Sequence, residues 1–147
     1  GSMPAMFPHR YEVDLQWTKG PTSSLESRGK APLTGGAPRE FDGSDAWWSP
    51  EELVLEALQL CYFSTLQSLA GRKEVSIQGY RSRASGTIEK TKEGLLFTRF
   101  ELEADLTVPT AQLALAGELM ASAKKYCIIA NALKAPVELV TRVHGVG

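Results

Sequence analysis

Polar and apolar positions alternate over residues 11–17, with Tyr11, Val13, Leu15 and Trp17 on one side and Glu12, Asp14 and Gln16 on the other. That period of two predicts a strand with one buried face, and Lys19-Gly20-Pro21 predicts the turn that ends it. Six of the thirteen glycines and five of the eight prolines lie before Ser49, which favours short strands and loops over helices there. Residues 29–45, with Pro32, Gly35, Gly36, Pro38 and Gly43, read as one long loop of the kind that helps to build a site.

The pattern changes at Ser49. Ser49 as N-cap, Pro50 at the first helical position, Glu51 in the first turn and Glu52 three residues after the cap predict a helix start. Residues 53–69 are apolar nearly all round, so this helix is expected to be central and mostly buried, with Gly71 and Arg72 as its stop. Val75 and Ile77 open an extended section that continues through residues 87–91 to a turn at Lys92-Glu93-Gly94. A strand follows with Phe100, Leu102, Ala104 and Leu106 facing a core and Arg99, Glu101, Glu103 and Asp105 facing water. Thr110 is placed to cap a second helix whose stripe is Leu113, Ala116, Leu119, Met120 and Ala123. Residues 127–133 continue that helix or restart it after a kink, and Pro136 admits a last strand carrying Val137, Leu139 and Val143.

At 147 residues, 43% hydrophobic and 22% charged, the chain has the size and composition of one globular domain. Gly1-Ser2 before Met3 reads as a scar of tag removal, leaving residues 3–147 as that domain. Sixteen basic against seventeen acidic residues give a net charge of -1, a poor match to nucleic acid or an anionic membrane. Residues 57–71 carry no charge but are too short and too polar to be expected to span a bilayer, and no apolar signal core follows Met3. A cytoplasmic, reducing setting fits two cysteines better as thiols than as a structural staple.

His9 and His144 lie at opposite ends and neither cysteine has a partner at ligand spacing, so no metal site is expected. Phosphate-cradling glycine motifs and a GxSxG elbow are absent as well. The remaining chemistry is in Cys61, midway along the first helix, and Cys127, near the end of the second. Sixty-six positions apart, they cannot form a local redox turn, and any pairing has to be made by the fold. Free cysteine is also a common buried small hydrophobe. A reactive Cys61 requires a nearby cation, and residues 53–69 contain none. Arg39 in the long loop is the first candidate, with Arg28 and Arg72 as competitors.

The run Ser49-Pro50-Glu51-Glu52-Leu53, then Cys61, then Cys127-Ile128-Ile129-Ala130-Asn131-Ala132-Leu133, resembles the OsmC/Ohr family of osmotically inducible and organic hydroperoxide resistance proteins. Trp17 and Gly20 extend the resemblance toward the start. Ser49 stands where the family usually has Asn, and Ile128-Ile129-Ala130 where it commonly has Pro-Val-Ser. The resemblance implies an α+β fold with two central helices packed on antiparallel sheet in an intertwined homodimer. It implies a peroxidase in which Cys61 attacks an organic hydroperoxide and Cys127 resolves the sulfenic acid as a disulfide, Arg39 and Glu51 assisting. Leu58, Tyr62 and Phe63 would wall the site if they are not ordinary core. No bound cofactor is implied; a dithiol reductant, a dihydrolipoyl group by the family's example, reopens the disulfide. Ten residues of helix are ~15 Å, so Glu51 is expected to serve Cys61 of a partner subunit rather than its own. The alternatives are a non-enzymatic dimer of the same fold that binds a hydrophobic ligand or a partner, and an interaction dimer with inert buried thiols.

Overall fold

In the computed structural model, which describes residues 6–147, the glycine- and proline-rich first third folds as a three-stranded antiparallel sheet of β1 (Asp14–Lys19), β2 (Thr22–Glu26) and β3 (Leu33–Gly36), in the order β1-β2-β3. The tag scar Gly1-Ser2 and the start at Met3 lie outside the described residues. Gly20, with φ +52°, makes the turn between β1 and β2 as expected. The buried face expected of residues 11–17 is not found: Tyr11 and Val13 precede the strand, and they, Leu15 and Trp17 are all exposed, Trp17 at 70%. Residues 29–45 are also more than a loop. They contain β3, whose partner is β2, and a 3-10 turn at Arg39–Phe41. Long-range backbone bonds decide this: Trp48 N donates to Thr34 O at 3.1 Å and Gly36 N to Trp48 O at 2.9 Å, stitching the approach to the first helix onto β3.

Helix α1 (Pro50–Arg72) starts where its cap places it. Ser49 Oγ accepts from Glu52 N at 3.1 Å and Glu52 Oε1 accepts from Ser49 N at 3.0 Å, the reciprocal bonds of a capping box. The helix ends at Arg72, at the expected stop, though glycine does not supply the left-handed residue. Glu74 takes the left-handed conformation, φ +56°, with Val75 N bonded to Ala70 O and Glu74 N to Gly71 O, the paired bonds of a Schellman end.

Contacts divide the chain into two compact units, one ending at Glu52 and one over Leu53–Gly147. In the second, β4 (Gly79–Thr91) and β5 (Gly94–Pro109) form a long antiparallel hairpin through the two-residue turn Lys92-Glu93. Gly86 is required in β4, because a Cβ there would lie 2.9 Å from the Phe97 ring and 3.2 Å from Phe100, which pair at 4.7 Å. β6 (Val137–Val146) adds to β5 in parallel, so the α+β class holds while the sheet β4-β5-β6 is mixed.

The alternation in β5 is borne out, and Phe100, Leu102, Ala104, Leu106 and Val108 form the floor of the core. Each full burial of such a large side chain is worth about 1.5–3 kcal/mol. Over the floor pack Leu58, Tyr62, Leu66 and Ala70 of α1 and Ala116, Leu119, Met120 and Ala123 of α2 (Leu113–Lys125). Thr110 does not cap α2. It opens a 3-10 turn, Thr110–Gln112, and the cap position Gln112 makes no capping bond because its amide is used elsewhere, donating to Glu74 O and accepting from Ser76 N. The chain then kinks and restarts as α3 (Ile128–Ala132).

The expectation that α1 is mostly buried holds for one stripe only; Leu60 on another side is 70% exposed. Of the helices among the described residues, α1 alone is long and apolar enough to cross a membrane on length and composition. Its tertiary bonds, Ser82 Oγ to Gln59 Oε1 at 2.8 Å and Tyr62 Oη to Met120 O at 2.8 Å, mark it as the core helix of its unit.

Candidate active site

The kink between α2 and α3 places the second thiol. Cys127 is the N-cap of α3: its N–H donates to Lys124 O at 3.2 Å, and its Sγ accepts from Ala130 N at 3.5 Å. A cysteine at a cap is a weak acceptor where serine or asparagine is usual, so this short helix is closed by sulfur. Cys127 is wholly buried, and Cys61 on α1 is half-buried. The two thiols are unbridged, and Cys61 packs against the core in which Cys127 is buried. Burial is the larger cause that pushes the Cys127 thiol above its ordinary value; the Ala130 N–H opposes it, and the neighbouring Cys61 adds to the rise. The Cys61 carbonyl also accepts from Thr65 Oγ1 at 2.8 Å, fixing the backbone of that turn.

Arg39 and Glu51 belong to the first unit. Arg39 begins the 3-10 turn between β3 and α1, which Asp42 closes in the left-handed conformation with φ 64°. Gly43 follows with its N–H on Pro38 O, and a Cβ there would collide with Ala37 O at 1.7 Å. The guanidinium pairs with Asp45, both side chains being exposed, and not with Glu51. Glu51 stands in the first turn of α1, where a carboxylate favours the helix dipole, and its Oε1 is buried with no hydrogen-bond partner. A buried, unpaired carboxylate oxygen is costly, so this atom is in want of a donor.

Leu58 and Tyr62 are not walls of an open site. Both are fully buried core, while Phe63 stacks on Tyr80 with centroids 4.0 Å apart and planes 11° from parallel. The Tyr80 hydroxyl is buried without a hydrogen-bond partner, and burial raises its pKa against a smaller opposing influence from Ser82. What the sequence reading missed is the hydroxyl of Tyr62, which links α1 to α2 beside the thiols. Its signal was the polar tip of a tyrosine on a core stripe, which needs a partner when buried.

A chain described as uncharacterized protein YmaD of Bacillus subtilis is 24% identical over 140 residues, spanning 91% of this chain and 93% of its own. Peroxiredoxin OsmC of Escherichia coli is 26% identical over 129 residues, spanning 88% and 89%. Among solved structures, an OsmC-like protein of unknown function from Vibrio cholerae superposes with a TM-score of 0.79 at 20% identity, covering 92% of this chain and 99% of that one. The family described as OsmC-like protein matches residues 43–142, from the loop before α1 to the middle of β6, and so takes in both cysteines. With its fold and most of its length matched, the chain belongs to the OsmC family.

Proposed function

We propose that this protein is a two-cysteine peroxidase that reduces organic hydroperoxides to alcohols, with residues 3–147 as one functional domain acting as a homodimer. The observation that carries the reading is a pair of unbridged thiols on one core, Cys127 buried at the α2–α3 kink and Cys61 of α1 packed against that core. The similarity to a peroxiredoxin supports it.

In the proposed reaction the Cys61 thiolate attacks the distal oxygen of ROOH. The O–O bond breaks, the alkoxide takes a proton and leaves as ROH, and Cys61 becomes a sulfenic acid. Cys127 Sγ then attacks the Cys61 sulfur. Its proton joins the departing hydroxide as water, and the S–S bond forms. The two thiols have supplied two electrons to the peroxide. Burial keeps Cys127 a thiol, a poor first nucleophile, so the attack on the peroxide is given to the half-buried Cys61. A dithiol reductant, a dihydrolipoyl group by the family's example, returns the electrons. No bound cofactor enters the cycle.

The Cys61 thiolate calls for a cation, and Arg39 is assigned that part. Its present partner Asp45 is on the surface, where an ion pair is worth ~0–1 kcal/mol and is readily exchanged. Glu51 would take the guanidinium in a bidentate grip, which satisfies its buried oxygen. Ten residues separate Glu51 from Cys61 on one helix, so the Glu51 that serves each thiolate is assigned to the partner subunit.

The test is single-turnover oxidation by cumene hydroperoxide, followed by intact mass and peptide mapping. Wild type is expected to lose two thiols to an intramolecular Cys61–Cys127 disulfide. Cys61→Ser is expected to consume no peroxide. Cys127→Ser is expected to complete one oxidation and then climb to sulfinic and sulfonic acid under excess peroxide. Equal consumption by wild type and Cys61→Ser overturns the reading, and an intermolecular bridge in wild type removes the resolving role of Cys127.

A further inference from the structure

Tyr62 follows Cys61 on α1, turned about 100° from it around the helix. The core thus receives the Tyr62 ring, which is wholly buried, while Cys61 occupies a neighbouring face. The Tyr62 hydroxyl crosses to α2 and donates to the Met120 carbonyl at 2.8 Å. One turn further along α2, the Lys124 carbonyl receives the Cys127 N–H at 3.2 Å. An unbroken chain of short contacts therefore runs from the residue beside one thiol, through the last two turns of α2, to the backbone of the other thiol.

A phenylalanine would fill the same volume without a polar group to satisfy. The hydroxyl contributes direction instead: it fixes where α2 sits along α1, which apolar packing alone does loosely. The sulfur pair is sensitive to that placement, because a disulfide accepts Cα separations of only about 4.4–6.8 Å and a narrow dihedral range. We propose that Tyr62 is a positioning residue for the dithiol, its hydroxyl bond to Met120 holding Cys61 and Cys127 at the separation from which they close. The proposal rests on the two-cysteine reading above and concerns its second step.

The experiment is a redox equilibrium of the full-length chain with the glutathione couple, in which the protein dithiol and one oxidised glutathione give the protein disulfide and two reduced glutathiones. Acid quenching and intact mass give the equilibrium constant without peroxide. Tyr62→Phe is expected to lower that constant roughly threefold to tenfold, the reach of one buried hydrogen bond. Leu66→Ala, one turn along the same buried stripe, serves as the control. It opens a cavity and costs more thermal stability, yet leaves the Tyr62–Met120 bond in place, and is expected to hold the constant within about twofold of wild type. A Tyr62→Phe constant equal to wild type overturns the assignment, as does an equal fall in both variants, which would make the effect one of general loosening. Wild type that forms no intramolecular disulfide removes the dithiol reading itself, whereas wild type that closes normally beside an unaffected Tyr62→Phe removes Tyr62 alone.

Discussion

Cys127 carries two burdens at one position: it caps α3 with sulfur, and it keeps its proton in a buried site. The second has a consequence for stability. Burial first, and then the Cys61 thiol beside it, raises the folded-state pKa above the ordinary 9.0 against the pull of the Ala130 N–H. The unfolded chain gives up this proton at the ordinary value. The contribution is therefore whole below that value and declines as pH climbs through it toward the higher folded one. Urea midpoints from about pH 8 to about pH 10 should fall in wild type and fall less in Cys127→Ser, whose hydroxyl does not titrate there and is a better cap. Equal slopes would show that the Cys127 proton is not held more tightly by folding. That Cys61 and Cys127 bear on one core was not legible from spacing, because tertiary packing alone brings α1 and the end of α2 to it. Family resemblance pointed to the pair. Arg39 was legible as a loop cation, but its engagement with Asp45 was not, since loop backbone sets which carboxylate it meets.

Among the elements, those coded by neighbours in sequence were readable and those decided across the fold were not. The capping box at Ser49 and Glu52 is wholly local, and the structure reproduces it bond for bond. Ser49→Ala should cost about 1 kcal/mol, a fall of about 3 °C in Tm by calorimetry, and Asn at this position should restore most of it. The far end of α1 was legible in its place, Arg72, but not in how the chain turns there. Gly71 has the residue type of a stop, yet the left-handed position is Glu74, which is exposed and held there by the Gln112 amide on its carbonyl. An L-residue in that conformation costs about 1–2 kcal/mol, part of which glycine returns as unfolded-state entropy. Glu74→Gly should therefore raise stability by a few tenths to about 1 kcal/mol in urea denaturation, and a loss would show that the Glu74 side chain contributes to the turn. β3 was hidden because its strand character comes from β2 and Trp48, and the parallel pairing of β6 on β5 was hidden because no local pattern states a strand's neighbour.

At the scale of the whole molecule, both compact units leave apolar surface uncovered. In the first, Tyr11, Val13, Leu15 and Trp17 form the apolar side of the alternation that begins the described sheet, and all four are more than 60% exposed. In the second, α1 buries one stripe and leaves Leu60 open at 70%. The sequence pattern called for burial at these positions, and within one chain it is not met. Scattered exposed leucines are ordinary, but four large apolar side chains left open at alternate positions leading into β1, and Leu60 open on α1, fit surfaces that another molecule covers. A second copy of the chain is the proposed occupant, and it would also supply the Glu51 that cannot reach Cys61 along its own helix. The chain should therefore sediment at micromolar concentration with twice its mass of 16.0 kDa. Leu15→Glu and Leu60→Glu separate the cases. In a monomer these exposed positions tolerate the change within about 0.5 kcal/mol, and neither mass nor Tm moves. In a dimer each variant buries a carboxylate in an apolar contact, so association weakens, Tm falls and becomes dependent on protein concentration, and peroxide turnover declines with the dimer fraction. A wild-type monomer that still turns over peroxide would overturn both the assembly and the assignment of Glu51 across it.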